Sequence, residues 1–289
     1  MNPVGPSEWL WKEGAGYYIH TESDLLEKPM LPNERFVRDR LMMRLFREQG
    51  RLSRGSKVLE IGCGGSPWLP YLAQEIGCHP SGIDIEPHAA RLARANLAGA
   101  GLNGQIYCRD GFDADLNKDL WGQFDLVYSL GVIEHLDDVS DKLRVLGRFL
   151  KPGGRLISMV PNLQGLNWAM QRFGSVPVLQ AHVVFTTRTL RDVHERAGFQ
   201  TVTTSYVGFC DGFLTSSSGE ARLKQFVHRT ACRVLSLCSA AWSRARLPTQ
   251  EWRFIAPLVV YVGVPSDGAM AGISKSERAL LRTQSSLCS

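Results

Sequence analysis

The chain has 289 residues, 44% hydrophobic and 21% charged, with a mean hydropathy of −0.12; this excludes a fibrous or wholly disordered chain and allows one full core without staples. Seven cysteines, an odd number with no C-x-x-C spacing, argue against a disulfide framework or zinc site and for a reducing, cytoplasmic compartment. The net charge of +5 is uneven: residues 221–246 carry six basic side chains and no acid, leaving −1 elsewhere (+5 less +6), which argues against a general nucleic-acid-binding surface.

Residues 1–50 read as an N-terminal cap, punctuated by Pro3, Pro6, Pro29 and Pro32 and crowded with Trp9, Trp11, Tyr17 and Tyr18. Asn33 is the expected N-cap of a helix whose Val37, Leu41 and Leu45 recur at four-residue spacing. From residue 51 to 207, short β-like runs alternate with helical stretches. Strands are predicted at 57–61, 81–85, 105–108, 124–129, 155–160 and 199–207. The intervening helices start near Ser66-Pro67, Glu86-Pro87, Asp137-Asp138 and Thr187. Such alternation implies βαβ units and a doubly wound α/β sheet with helices on both faces.

Two stretches interrupt the pattern. Residues 162–186 form one, and 208–256 form a basic helical insertion or lid before a last core strand at 257–265. Residues 266–289 form a polar tail. No apolar run is long enough to span a bilayer, and no signal-peptide pattern opens the chain, so neither a membrane span nor secretion is expected.

The strongest motif is Val58-Leu-Glu-Ile-Gly-Cys-Gly-Gly-Ser66, a strand running into a glycine loop and then a helix. Glycine there lets the chain turn sharply and lets a ligand approach the main chain. Two ligand classes use such a loop. A dinucleotide wants G-x-G-x-x-G, but the third position is Pro67. The other pattern, E-x-G-x-G, places Glu60 where its carboxylate meets a cationic amino group. Asp84, at the end of the second strand, can accept from two ribose hydroxyls. Asp110-Gly111-Phe112 follows the third strand. There a carboxylate can accept from an exocyclic amine, a backbone N–H can face a ring nitrogen, and a phenyl ring can pack on adenine.

With these residues and with Phe124–Val127, Ile133–Leu136, Leu150–Gly154 and His194–Phe199, the chain over about residues 55–206 resembles the class I S-adenosylmethionine-dependent methyltransferases. The resemblance implies a Rossmann-like, seven-stranded sheet, mostly parallel with an antiparallel last strand. It implies S-adenosylmethionine as cofactor and S-adenosylhomocysteine as product. Glu60, Gly62, Gly64, Asp84, Ile85, Asp110, Gly111 and Phe112 would line the cofactor pocket, with Ser129 and Leu130 passing its methionine part.

Methyl transfer is an in-line displacement, so the protein must align a nucleophile and exclude water, and a hydroxyl nucleophile gains from a base. His135, after the fourth strand, is the candidate catalytic base, and His182 is a second. Tyr17, Tyr18, His20, Asn162 and His182 are the substrate-side candidates. Some quinone-pathway relatives hold a metal at this Glu-His pair with an acid three residues earlier; Gly131 stands there, so no metal is expected. The Asn/Asp-Pro-Pro-aromatic motif of base-methylating enzymes is replaced by Ser129–Val132, which argues against nucleic acid. The expected acceptor is an O or N nucleophile of a small molecule, with a sugar, quinone-like or natural-product scaffold. The alternatives are a nicotinamide-dependent oxidoreductase and a non-catalytic cofactor-binding protein. The 220–246 segment, free of Pro and Gly, reads as one amphipathic helix. It is a lid on the core, a grip for an acidic substrate, or a peripheral contact with an anionic membrane.

Overall fold

The computed structural model describes residues 21–209, 215, 217, 221–245 and 252–266. Strands β1 (Lys57–Ile61), β2 (His79–Asp84), β3 (Gln105–Cys108), β4 (Phe124–Leu130), β5 (Leu150–Pro161), β6 (Phe199–Val207) and β7 (Leu258–Pro265) form one sheet in the order β3-β2-β1-β4-β5-β7-β6. β1 to β5 run parallel, and β7 lies antiparallel between β5 and β6. The expected seven-stranded, doubly wound α/β fold is therefore present, with the strand order reversing at β1 and β4. Open α/β sheets bind ligands at that switch point, outside the carboxyl ends of the strands.

The period-2 alternation of the strands sorts the core into two layers. Val58, Leu126, Tyr128, Val260 and Val262 face one side with Phe46, Trp68 and Leu72. Leu59, Val127, Val259 and Tyr261 face the other with Phe124, Phe149 and Leu190. The helices over these faces are α1 (Glu22–Glu27), α2 (Val37–Gln49), α3 (Trp68–Ile76), α4 (Pro87–Gly99), α5 (Val139–Phe149), α6 (Gly165–Gly174), α7 (Val176–Gln180), α8 (Thr187–Arg196) and α9 (Arg222–Arg244).

Three local expectations are corrected. Asn33 does not cap α2; its side chain closes a turn by accepting from Arg35 N at 3.0 Å, and the helix starts four residues later without a side-chain cap. Asp138, at the N-cap of α5, is left-handed (φ 50°) and makes no side-chain cap bond. β2 runs from His79 to Asp84, so Ile85 leaves the sheet and is 64% exposed. Pro70 falls in the first turn of α3, where its missing N–H costs no helical bond. Within 162–186, where no element was predicted, α6 and α7 form.

Candidate functional site

The loop after β1 is held by its own backbone. Gly62 N and Cys63 N both donate to Ile83 O, at 2.8 and 3.2 Å. Gly62 has φ +70°, and a Cβ there would meet Val132 Cγ2 at 2.5 Å. Only glycine fits both constraints. The Cys63 thiol is buried behind the loop, and burial pushes its pKa well up, so it is no nucleophile.

Asp84 clamps this loop to β2. One carboxylate oxygen accepts from Gly64 N at 2.9 Å and the other from Glu86 N at 3.0 Å. Burial raises its pKa, and the two backbone bonds oppose the rise. Each oxygen keeps a second lone pair for a ligand hydroxyl. Ile85 follows as an exposed apolar step.

At the end of β3, Asp110 Oδ1 accepts from Phe112 N at 2.8 Å. This corrects one expectation: the Phe112 N–H is already committed to Asp110, so the ring of Phe112 and the second Asp110 oxygen are what the turn presents. Gly111 is packed on Ile61 and Ile83, at 3.3 to 3.4 Å from where a Cβ would stand.

Glu60 lies beneath the loop, fully buried, in register with Tyr128 on β4. The Tyr128 hydroxyl donates to it at 2.9 Å. Burial raises its pKa to about 8, against the lowering effect of hydrogen bonds from Ser66 and Tyr128. A carboxyl in this state ionises once a cation arrives. Ser129, at the neighbouring end of β4, is buried with its Oγ unpartnered, and Leu130 beside it is half-buried.

Across the switch point a second group assembles. The single turn Ile133–His135 follows β4. Val183 N, from the 162–186 insertion, donates to Glu134 O at 2.8 Å and so brings His182 against His135. Their ring centroids are 4.3 Å apart. Ligand atoms of Glu134, His135 and His182 all lie within 4.8 Å of one another, the residue types and spacing of a divalent-cation site. Glu134 is buried, both its oxygens lack a hydrogen-bond partner, and burial raises its pKa to about 8. Burial, with a smaller effect of His182, lowers the pKa of His135 to about 4, and burial also lowers that of His182. Burial thus disfavours the charged form of all three groups. His182 Nδ1 lies 2.5 Å from Val178 O; as donor there, it leaves Nε2 with the lone pair.

A profile described as a methyltransferase domain matches residues 33–204. The chain belongs to the S-adenosylmethionine-dependent methyltransferases. It is 31% identical over 121 residues to the ubiquinone biosynthesis O-methyltransferase of Xanthomonas oryzae pv. oryzae, covering 42% of this chain and 49% of that one. To the Pseudomonas aeruginosa enzyme of the same name it is 30% identical over 126 residues, covering 44% and 53%. The chain thus spans about half the length of the curated relatives it matches. Its fold is that of a phosphoethanolamine N-methyltransferase from Haemonchus contortus solved with S-adenosylmethionine (TM-score 0.54, 15% identity, 92% of this chain and 61% of that one). It is likewise that of a putative sarcosine dimethylglycine methyltransferase from Galdieria sulphuraria (TM-score 0.53, 16% identity, 79% and 85%). Family membership makes S-adenosylmethionine the cofactor, and the buried Glu60 carboxyl and the glycine loop suit its ammonium and main-chain approach.

Other sequence expectations fare differently in this methyltransferase fold. Asn162 is corrected: it is fully buried and its amide donates to Arg253 O and Ala256 O at 2.6 and 2.7 Å, so it ties β5 to the segment before β7 instead of reaching a substrate. Tyr17, Tyr18 and His20 lie outside the described residues. Two asparagines were missed. Asn96 on α4 bonds Met30 N, Met30 O and Ser66 O, pinning the N-terminal segment to the glycine loop. Asn117 donates to Asp110 O and Asp113 O, both at 2.7 Å, and fixes the turn after β3. An asparagine inside a helix that otherwise buries alanine and leucine was the available signal for Asn96.

Proposed function

We propose that this methyltransferase moves the methyl group of S-adenosylmethionine to a hydroxyl of a small, ring-bearing acceptor of sugar, quinone-like or natural-product type. The observation that carries this reading is the contact of the His135 and His182 rings, 4.3 Å between centroids, beside the Val132 that packs on the glycine loop. The acceptor oxygen attacks the methyl carbon, a C–O bond forms and the S–C bond breaks. The bond pair stays on sulfur, which becomes the neutral thioether of S-adenosylhomocysteine. The acceptor proton goes to an imidazole nitrogen that keeps its lone pair. An amine acceptor would need no such pair, so the histidines favour oxygen over nitrogen.

The cofactor-side roles follow from the same frame. Glu60 faces the ammonium end, Asp84 takes a ribose hydroxyl, and Ile85 and Phe112 supply apolar contact to adenine. Asp110 and Gly111 bound that ring, and Gly64, Ser129 and Leu130 border the methionine part. The name shared by the curated relatives, ubiquinone biosynthesis O-methyltransferase, supports an oxygen acceptor.

The test is a transfer assay with radiolabelled methyl donor against phenolic, sugar and amine acceptors, run with and without chelator and added magnesium. Labelled ether product insensitive to chelator is the expected result. Transfer only to amines would overturn the oxygen assignment. Transfer abolished by chelator and restored by magnesium would reassign Glu134, His135 and His182 as ligands of a cation that orients the acceptor.

A further inference from the structure

The last long helix is built inside out. On α9 the side facing the protein carries His228, Ser239 and Ser243, all buried. Ser243 Oγ donates to Glu34 O at 3.2 Å, and its carbonyl accepts from Arg40 Nη1 at 3.0 Å. The opposite side, toward solvent, carries one apolar stripe. Leu223 is 75% exposed, Phe226 67% and Leu237 70%, with Val227 and Val234 between them. A helix that only lined the core would turn these faces the other way.

The stripe continues onto α6. Leu166 and Met170 meet Phe226, Val227 and Val234 across an open groove of about 460 Å³. Beside it Trp168 and Phe173 are exposed, with Arg172 and Lys224 stacked over their rings at 5.5 and 5.8 Å. Phe254, also exposed, joins this surface where its carbonyl accepts from Leu166 N at 2.9 Å. Arg222, Arg229 and Arg233 stand exposed along one flank of the stripe. Among the described residues of α6, α9 and 252–257, no side chain is acidic.

We propose that this α6–α9 face docks peripherally on an anionic lipid bilayer. A broad apolar strip, aromatic rings carrying cations, and a basic flank without a counter-acid match acyl chains below and phosphate groups above. A second copy is a poor occupant, because a self-complementary contact would set cations against cations with no acid among the described residues of the face to answer them. No helix among the described residues is long and apolar enough to cross a membrane.

The experiment is flotation of the full chain with vesicles of phosphatidylcholine and with vesicles containing phosphatidylglycerol, at low and high salt. The expected result is flotation with phosphatidylglycerol that weakens with salt. Arg229→Gln and Arg233→Gln should each lower partitioning by roughly fivefold. The pair Phe226→Glu and Leu237→Glu should remove it, with circular dichroism and cofactor affinity unchanged, since both side chains are largely exposed. No flotation with phosphatidylglycerol vesicles at low salt, or flotation unaffected by the glutamate pair, overturns the proposal. So does a concentration-dependent dimer in sedimentation that the same pair dissociates, which would assign the face to a second copy.

Discussion

The two halves of the sheet's carboxyl rim are organised differently. On the β1-β2-β3 side backbone N–H groups tie the loops to one another: Gly62 to Ile83, Gly64 and Glu86 to Asp84, Phe112 to Asp110. Beyond β4, Glu134, His135 and His182 come together only because the 162–186 insertion folds back and donates from Val183 to Glu134. The first half is a preformed cradle held by backbone geometry. The second is a set of titratable groups that burial strips of solvent. A cradle of the first kind suits a cofactor used by a whole family. A cluster of the second kind, mounted on an insertion, suits the individual acceptor.

The largest expected effect breaks the first half outright. Gly62→Val places side-chain atoms into Val132 at a positive φ, so S-adenosylmethionine binding should vanish in calorimetry while circular dichroism is retained. Tight binding in that variant would remove the close-approach argument.

Next, His135→Ala tests whether the second half serves chemistry alone. On a hydroxyl acceptor, turnover should fall by roughly 10²-fold, the lower end for a positioned acid–base group, with cofactor affinity unchanged. His182→Ala should lower turnover in the same direction. Full activity in both would deny the pair any part in proton transfer, and weakened cofactor binding would mean that the two halves are not separable.

Glu60 links the halves. With its pKa raised to about 8, it is protonated at pH 7 before the cofactor binds. Pairing with an ammonium should then expel about one proton. Titration calorimetry in buffers of different ionisation enthalpy measures it. Glu60→Gln should abolish the release and weaken binding by ~1.5–3 kcal/mol, the range for hydrogen bonds to charged groups. Asp84→Ala should cost a similar amount, without changing the proton count. Equal proton release from wild type and Glu60→Gln would move the titrating group elsewhere.

The smallest effect at neutral pH belongs to His194, which lies in neither half. It is buried, stacked on Tyr261 at 3.8 Å, with Nδ1 2.7 Å from Leu190 O and Nε2 2.8 Å from Ser158 Oγ. Burial lowers its pKa from 6.5 to about 3. The unfolded chain therefore binds a proton before the folded one does. Its contribution to stability is present above about pH 6.5 and is lost as pH falls toward 3. His194→Gln should flatten that part of the stability-versus-pH curve in denaturant titrations. An unchanged slope would show that His194 does not govern acid unfolding.

Much of the fold was legible because it rests on local chemistry. The βαβ alternation follows from short branched runs and helix-length spacers, and the cradle follows from Gly62, Gly64 and Asp84 in fixed relation to strand ends. The Phe112 N–H and Asn162 were misjudged for one reason: each was free in the sequence and already bonded in the fold. His135 and His182 were each singled out, but their contact was not, since they stand 47 positions apart in the chain.

The amino-acid sequence by itself determined the sheet and the glycine loop, because periodicity and turn residues act over a few positions, and its motifs carried the resemblance that implied the cofactor. Tertiary structure alone decided that two histidines would share a pocket and that the apolar stripe of α9 would face outward. Both depend on which surfaces meet, and the pattern of a single segment carries no record of its neighbours.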